Sequence, residues 1–551
     1  MPFGILECNK LEIVPGTAFL NDQNEVPREY AGLDKSQLKH GTGRYSHVIL
    51  VPQPSDDPND PLNWPWWQKE MILLIVGLSS AITGAYGPML SPGFVQIADE
   101  LHISVTALAQ ATAWMILACG LALFILNALA KVYGKRPMYL FAITLLFISA
   151  LIGGTAKNDQ MFLTSRVLGG IGGGPFEILI QCTIGDLYFV HERATRIAFW
   201  NLCLFVGISL GSIISGYVIS NIGWNWCFWI SAVFYGIAGL LIFFCVPETT
   251  YERKDNVVLK PSVEERFDDE KGVLRSTVAV HLEHDDQHGD PLNRAATVPE
   301  KMSYWRSLRL LTGRHSKASI FTVFSRPFVL FMYPAIGLTF LTYGVMITWY
   351  VAFSVVVGII FVAPPYNFTI SQVGLVNLSP LIFSIIGEVI SGPLNDALCL
   401  CLTKKNKGIY EPEFRLVLMA VVALTGAVGF YGFGLTVHYQ THWAGPVLTY
   451  GICSLSLAFV STCMFGYVLD SHPKLNEEAF VVINARAVLG FGLFYVLAPW
   501  LMTSGILNVF VVFGSITLFT CALIIPLWIF GKRWRSWIAR NELLQRLTSD
   551  T

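Results

Sequence analysis

The sequence predicts an all-α membrane protein of twelve transmembrane helices, arranged in two pseudo-symmetric halves of six. The first observation is composition: 53% of the 551 residues are hydrophobic and 14% are charged, with a mean hydropathy of +0.54. Soluble domains carry about 25% charged residues, so this chain has too few to cover a water-exposed surface of its size. The other two observations are the grouping of apolar runs as six and six, and the confinement of basic residues to alternate loops.

Each apolar run is long enough to cross the hydrocarbon core of a bilayer as a helix, which requires about 20 residues. Six runs lie within residues 70–246 and six within 326–531, separated by a charged linker at 247–325. We expect residues 1–69 and 532–551 to be polar segments outside the membrane. The runs lie near 71–90, 106–128, 138–156, 161–184, 196–218, 226–246, 328–356, 371–394, 414–436, 444–468, 480–502 and 506–530.

Basic residues in short loops indicate the orientation, because they favour the cytosolic side. The loops on the other side contain Lys157 as their basic residue. We therefore expect both termini and the linker in the cytosol and the chain in the cell membrane, with an internal organelle membrane as the alternative. The basic residues on the cytosolic side are Lys131, Lys135, Arg136, Arg193, Arg196, Lys404, Lys405, Lys407, Arg415, Lys474, Lys532, Arg533 and Arg535.

An acidic residue lies deep in the fourth run, where GGIGGGPFEILIQCTIGD occupies residues 169–186 and places Glu177 about 22 Å from Phe162 along a helix. An acid near the middle of a bilayer costs at least a few kcal/mol, so it must face water, meet a partner or keep its proton. Such a group can carry a proton between the two sides or neutralise a cationic substrate. The structural alternative is a protonated glutamate that bonds to a neighbouring helix.

A second acid, Glu388, lies in IIGEVISGPLND of the eighth run, nearer its cytosolic end. It can border a central cavity and relay protons, or its side chain can extend to the interface in a packing role. Both interpretations remain open from the residues alone.

The order of six spans, a cytosolic linker and six spans resembles the major facilitator superfamily, and two loops carry parts of its signature. The loop NALAKVYGKRPMYL matches at Gly134, Lys135 and Arg136, although the family's preceding glycine and aspartate are missing. The mirrored loop SGPLNDALCLCLTKK keeps Gly392 and Asp396 at the family spacing. The resemblance implies two six-helix halves that rock around a central site.

The same resemblance suggests which charged residues form a cytosolic gate. Lys135, Arg136 and Asp396 belong to the signature loops, and Asp186 and Asp470 end helices on that side. We expect the two aspartates to pair with basic loop residues at the gate or interface rather than to bind a ligand.

Four segments are similar to fungal members, either drug:proton antiporter-like or polyamine/cation transporter-like. They are PSDDPNDPLNW, RVLGGIGGGPFEILIQCTIGDLYFVHER, EPEFRL and YVLDSH. In that group Arg166 resembles an arginine assigned to proton relay, and its alternative role is an interfacial anchor. The chain departs from the group at Gly211 and Ser212, where the antiporter signature has Gly-Pro, and at Gln181, where a second acid is frequent.

Aromatic residues of the first and seventh runs are further candidates for the cavity wall, together with Gln181. Their ring faces can stack on planar or cationic ligands, although single aromatics also serve as core. The candidates are Tyr86, Tyr343, Trp349 and Tyr350. Asn367 in the sequence NFT is a possible glycosylation site in an outward loop. We expect no metal and no cofactor.

The sequence favours a secondary active, proton-coupled transporter that exports a small organic metabolite, drug or toxin. It has no Gly-x-x-x-x-Gly-Lys-Ser/Thr motif for ATP, so neither an ATP-driven pump nor an enzyme is expected. Uptake or export of organic cations such as polyamines is the alternative, and a non-transporting nutrient sensor is a third possibility. The expected partners are lipid, a small-molecule substrate and protons. Because the net charge is −1, we expect no binding to nucleic acid. We also expect the protein to be a monomer.

Overall fold

The structure, a computed structural model, describes residues 61–251, 301–310, 313–316, 319–472 and 475–542. Two strands at 259–268 and 273–282 are also described, as are residues 544 and 547. Within the first sixty residues it describes 4–7, 14–19, 39, 50, 52, 54, 55 and 57–60.

Twelve helical stretches in these described residues are long and apolar enough to cross a membrane, which confirms the predicted fold class. We number them as spans 1 to 12. The first ten are Trp66–Leu101, Val105–Tyr133, Lys135–Gly154, Asp159–Leu187, Thr195–Ile222, Asn225–Cys245, Pro334–Ile360, Ile370–Lys405, Pro412–His438 and Ala444–Ser471. Helices Asn476–Asn484, Ala487–Ala522 and Ile524–Arg540 form spans 11 and 12.

Several helix ends differ from the predicted bounds. Span 1 continues through a 3-10 turn at Pro88–Gly93 into the short helix Phe94–Leu101. Gly505 adopts a φ of 76° and turns the chain between spans 11 and 12. The last helix runs to Arg540, so the polar tail expected from residue 532 starts as a continuation of span 12.

The linker side of the protein carries the remaining elements. Within the linker, strand Leu259–Asp268 pairs antiparallel with Val273–Leu282. The short helices Tyr304–Ser307 and Ile320–Leu330 precede span 7. Near the amino terminus, strand Ala18–Phe19 pairs antiparallel with Ile409–Tyr410, which joins the first residues of the chain to the carboxyl-terminal half.

The two halves repeat the same packing. In the first half span 4 packs against spans 2 and 3, span 1 against span 5 and span 3 against span 6. In the second half span 10 packs against spans 8 and 9, span 7 against span 11 and span 9 against the helix of span 12. The halves meet along two seams, span 2 with span 11 and span 5 with span 8. A cavity between the halves is therefore bordered by both seams.

Small residues allow close approach at these contacts. Within the first half, a Cβ on Gly211 would lie 2.6 Å from Cβ of Ala85 in span 1. Between the halves, a Cβ on Gly120 would lie 2.8 Å from Cβ of Ala487, and a Cβ on Gly216 2.9 Å from Cα of Gly374. Glycine at these positions lets the backbones touch, as in other packed membrane helices.

Candidate functional site

A cavity of about 150 Å³ lies between the two halves. Its wall is mainly apolar and takes residues from both halves, among them Met115 and Ile208 from the first and Val351 and Phe494 from the second. Sites for small organic molecules are typically apolar clefts with a few polar groups that fix orientation. The polar groups of this cavity are therefore the first candidates for substrate recognition.

Glu177 borders this cavity and forms an ion pair with Arg486, 3.2 Å from Oε2 to Nη1. The arginine comes from span 11, so the pair joins the two halves. Arg486 also donates to Asn484 Oδ1 at 2.6 Å and lies 5.3 Å from the ring centroid of Tyr343. The Glu177 side chain is 25% exposed and that of Arg486 9%, so the acid is the member that faces the cavity more openly.

Sequence reasoning missed Arg486. It lies in FVVINARAVLGFG, a basic residue within an apolar run, and charged residues in spans are by default functional candidates. The same rule that selected Glu177 would have selected this arginine. Its presence means that the charge of Glu177 is already compensated in the absence of a cationic substrate.

Glu388 lies in a separate cleft of about 500 Å³ between the halves, which also contains Arg193 and the charged residues Asp396, Arg415 and Asp470 of spans 8, 9 and 10. We call it the linker-side cleft. Asn201 of span 5 donates to Glu388 Oε1 at 2.6 Å, and Ser461 of span 10 lies at 3.5 Å from the same oxygen. This acid thus meets neutral donors, whereas Glu177 meets a cation.

Two of the predicted aromatic residues line the central cavity. Tyr86 bonds to Ser149 at 2.6 Å and to Ser165 at 3.2 Å through its hydroxyl group, and Tyr350 bonds to Ser209 at 3.2 Å. Because the hydroxyl groups have protein partners, these residues present mainly ring surface to the cavity.

The other three cavity candidates do not line it. Trp349 stacks on Phe513 at 3.9 Å inside the second half, because a helix turns by about 100° per residue and Tyr350 takes the cavity face. Tyr343 lies behind Arg486 and contacts it with its ring. Gln181 is buried one turn beyond Glu177, and its side-chain amide has no hydrogen-bond partner in the described part of the chain.

Arg166 is buried within the first half, near the start of span 4. Its side chain is 1% exposed, and Nη1 donates to the Tyr86 carbonyl oxygen at 2.8 Å. The guanidinium lies 5.3–5.4 Å from the ring centroids of Tyr86, Phe162 and Phe228. Cation–π contacts of this kind stabilise a desolvated arginine.

Four of the five predicted gate residues form two corresponding clusters at the linker side. Lys135 pairs with Asp186 at 2.6 Å in the first half, and Arg415 pairs with Asp470 at 2.5 Å in the second. Asp396 lies 3.4 Å from Arg415 and is largely exposed. These pairs connect helices within one half, so by themselves they do not close the boundary between the halves.

Among the described residues, the ion pairs that cross the boundary at the linker side involve the start of span 11. Lys131 of span 2 pairs with Glu478 at 2.5 Å, and Lys135 lies 3.7 Å from Glu477. Within the second half, Arg326 of the helix before span 7 also lies 4.0 Å from Glu478. Sequence analysis counted Lys131 as a loop charge and did not single out the two glutamates.

Arg136 holds the linker rather than a gate between the halves. Its guanidinium donates to the carbonyl oxygens of Ser307 at 2.9 Å, Arg309 at 3.2 Å and Phe243 at 2.7 Å. Its backbone N–H and that of Lys135 donate to the Glu248 carboxylate. The signature loop after span 2 is thereby fixed to the end of span 6 and to the linker.

A buried ionic cluster outside the predicted site joins the amino-terminal segment to span 12. Arg535 bonds to Glu411 at 3.0 Å and to Glu413 at 2.7 Å, and Lys532 bonds to Glu411 at 2.6 Å. Thr17 donates to Glu411 at 2.8 Å. EPEFRL, which contains both acids, therefore has a structural role at the start of span 9.

Comparison with known proteins places the chain in a family. The profile described as Major Facilitator Superfamily matches residues 72–486. An uncharacterised MFS-type transporter of Schizosaccharomyces pombe is 26% identical, with 96% of this chain and 94% of that protein covered. Protein HOL1 of Saccharomyces cerevisiae is 23% identical with 96% of each covered, and efflux pump radE of Floropilus chiversii is 24% identical with 94% and 90% covered.

Solved structures agree in fold. The proton:xylose symporter XylE bound to 6-bromo-6-deoxy-D-glucose aligns with a TM-score of 0.57 at 14% identity, covering 86% of this chain and all of that one. A partially occluded inward-open form of the same transporter aligns with a TM-score of 0.55. Since the family profile covers most of the chain and the twelve spans form two repeated halves, the chain belongs to the Major Facilitator Superfamily and is a membrane transporter, not an enzyme.

Proposed function

We propose that this transporter is driven by protons and exports a small organic metabolite, drug or toxin. The observation that carries the proposal is the cavity between the halves with the Glu177–Arg486 pair in its wall. An ion pair that joins two moving halves is a switch, because any group that binds one member weakens the link. Alternating access then requires the halves to rock around this site.

The proton and the substrate act on the same pair in this mechanism. A proton on Glu177 removes its charge and releases Arg486, and a polar or anionic group of a substrate can then take the arginine's donors. A substrate with a cationic group can instead replace Arg486 at Glu177. Either exchange makes proton and substrate binding interdependent, which is the requirement for coupling.

The cavity wall favours an amphipathic substrate. Apolar side chains and the ring surfaces of Tyr86 and Tyr350 supply most of the wall, and the ion pair supplies one positive and one negative group. Because Arg486 balances Glu177, the wall gives no net attraction to a cation. Export of an organic cation such as a polyamine remains the second candidate, supported by Glu388, whose carboxyl group meets no cation within ion-pair distance among the described residues.

Relatives support the direction of transport. One relative along most of this chain is named efflux pump radE, and others carry the names MFS transporter fsa7 and MFS-type transporter penM. We propose that the chain belongs with the fungal drug:proton antiporter-like members and works as a monomer in the cell membrane. We also place the linker side in the cytosol, because the basic loop residues lie there.

Transport in inside-out vesicles tests the function. Vesicles that contain the protein should accumulate one or more amphipathic probes from a labelled panel when their interior is made acidic, and a protonophore should abolish accumulation. Vesicles that contain the Arg486→Gln variant are the control for passive uptake. Accumulation that required ATP, or that ignored the proton gradient for every transported probe, would contradict the proposal.

A tag tests the orientation. A small epitope inserted after Asn367, between spans 7 and 8, should react with an impermeant label in intact cells. A tag at the carboxyl terminus should react only after the membrane is opened. The opposite pattern would place the linker side outside the cytosol.

A further inference from the structure

The contact between Glu388 and Asn201 lacks one hydrogen-bond donor. Asn201 is 4% exposed, and its amide nitrogen donates to Glu388 Oε1 at 2.6 Å and to Ser461 Oγ at 3.2 Å. Its amide oxygen Oδ1 is buried and has no hydrogen-bond donor among the described residues. Buried polar atoms in folded proteins are normally paired. We therefore expect a neighbouring group to donate a hydrogen bond to this oxygen in at least one state of the protein.

A proton on Glu388 would supply that donor. A carboxylic acid has one oxygen that accepts and one O–H that donates, while an amide has one N–H₂ that donates and one oxygen that accepts. The acid and the amide can therefore exchange two hydrogen bonds, the observed one to Oε1 and a second from the acid O–H to Asn201 Oδ1. The ionised carboxylate can accept from Asn201, but it leaves Oδ1 unpaired and has no counter-charge.

The two side chains belong to opposite halves of the transporter. Asn201 lies on span 5 and Glu388 on span 8, so the contact is part of one of the two seams between the halves. It also borders the linker-side cleft. A change in this contact alters how tightly the halves are held at that side.

We propose that Glu388 and Asn201 form a proton-dependent latch between the halves. The protonated acid bonds Asn201 twice and holds the linker-side cleft narrow, and loss of the proton to the linker side leaves a charge that draws in water and widens the cleft. The proton then leaves toward the linker side before a substrate enters from that side. This inference rests on the proposed proton-driven function, and it adds a second titrating site that is separate from Glu177.

Other charged groups around the latch are already engaged. Arg415 pairs with Asp470 at 2.5 Å and with Asp396 at 3.4 Å. Arg193 donates to the carbonyl oxygens of Tyr188 at 3.0 Å and Gly185 at 2.7 Å. Glu388 is thus the carboxyl group of the cleft that is held by neutral donors.

A cysteine at Gly392 reports the width of the cleft. Gly392 lines it one turn from Glu388, and a Cβ there would have no heavy atom within 4 Å, so Gly392→Cys fits without strain. The rate of its reaction with an impermeant maleimide is measured in purified protein from pH 5.5 to 8.5, after subtraction of the rate of the protein without this cysteine. The ionisation of the thiol is common to all variants, so each rate is divided by that of Gly392→Cys with Glu388→Gln at the same pH.

Glutamine at 388 mimics the protonated acid, because its amide can also exchange two hydrogen bonds with Asn201. The labelling rate of Gly392→Cys, divided by that of Gly392→Cys with Glu388→Gln, should be near one at low pH. This ratio should rise by about threefold or more as Glu388 loses its proton. Asn201→Leu removes the latch and should react fast at low pH as well. Asp396→Asn is the matched control, since this acid of the same cleft is largely exposed and paired with Arg415.

Three outcomes would overturn the latch. They are a ratio that does not change with pH, a Glu388→Gln protein that reacts faster than its parent, and a pH profile that Asp396→Asn abolishes. Size-exclusion chromatography of each variant shows whether it is folded, and a Glu388→Gln protein that fails to fold is replaced by Asn201→Leu as the reference. Since labelling needs no substrate, failure of the latch and failure of the transport proposal can be distinguished.

Discussion

The two sides of the boundary between the halves are closed by different kinds of contact. At the side opposite the linker, backbone meets backbone: a Cβ on Gly358 would overlap the carbonyl oxygen of Ser91, and Gly216 approaches Gly374. At the linker side, the pairs Lys131–Glu478 and Asn201–Glu388 cross the boundary. Packing of glycines is indifferent to pH and salt, whereas charged and titrating contacts respond to both. If transport is driven by protons as proposed, the titrating contacts of the linker side are the ones that a proton can change.

The largest effect is expected from a methyl group at Gly358, in the close contacts at the side opposite the linker. We call the contacts of Gly358 with Ser91 and of Gly216 with Gly374 the glycine seal. Gly358→Ala places a carbon 2.1 Å from the Ser91 carbonyl oxygen, so this contact cannot form without movement of the backbone. Overpacking of this kind costs about 1–3 kcal/mol, which is roughly 5- to 150-fold in the ratio of closed to open states. Transport should fall, and the native Cys119 in the cavity should react faster with an impermeant reagent added at the side opposite the linker.

Gly236→Ala is the matched control for that experiment, because a Cβ there would lie 3.6 Å from its nearest neighbour, an ordinary contact. If transport and Cys119 reactivity were unchanged in Gly358→Ala, closure of the side opposite the linker would not depend on close backbone packing. The contrast drawn between the two sides of the boundary would then be wrong.

A smaller effect is expected at the ion pair of the linker side. Lys131→Gln and Glu478→Gln each remove a contact between a partly exposed lysine and a nearly buried glutamate, with side-chain exposures of 25% and 9%. The coupling free energy in a double-mutant cycle should be about 0.5–1 kcal/mol, a two- to fivefold change in the reaction rate of Cys119 from the linker side. The coupling should shrink in high salt. Strictly additive effects of the two substitutions would show that this pair does not hold the halves together.

The smallest effect concerns a histidine in the loop after span 10. Burial, with the charge of Arg535 as the second cause, lowers the pKa of His472 to about 4. In the unfolded chain the pKa is about 6.5. Between these values the unfolded state binds a proton that the folded state does not, so stability falls as the pH drops from about 6.5 to about 4.

His472→Gln should therefore reduce the loss of thermal stability between pH 7 and pH 5 by roughly 1–4 °C. Unfolding of the detergent-solubilised protein, followed by fluorescence, measures this shift. His438→Gln is the control, because His438 is exposed, and it should leave the loss unchanged. An identical loss in the His472 variant and the parent would mean that this histidine does not titrate on unfolding.

Much of the architecture could be predicted because hydrophobicity along a span is a local property. The length of each apolar run indicates a span, and the six-plus-six grouping indicates two halves. The depth of Glu177 also followed from position alone, and the cavity beside it is consistent with that depth.

The contacts across the boundary could not be predicted, because they join residues far apart in the chain. Glu177 and Arg486 are separated by 309 positions, and Asn201 and Glu388 by 187. Rotation of a helix about its axis is equally hidden: Trp349 and Tyr350 are neighbours, yet one packs on Phe513 and the other lines the cavity. An isolated sequence specifies which residues are buried in the membrane region more readily than which partner each one meets.

Gradient-driven transport by the Glu177→Gln variant tests the central proposal most directly. Glutamine keeps the size of the side chain and a hydrogen bond to Arg486 but cannot titrate. The variant should reach normal abundance, lose accumulation driven by an acidic vesicle interior, and retain exchange of labelled for unlabelled substrate. The double variant Glu177→Gln with Arg486→Gln controls for the unpaired arginine, and it should also fail to accumulate substrate. Full gradient-driven accumulation by Glu177→Gln would contradict the account and leave Glu177 with a packing role.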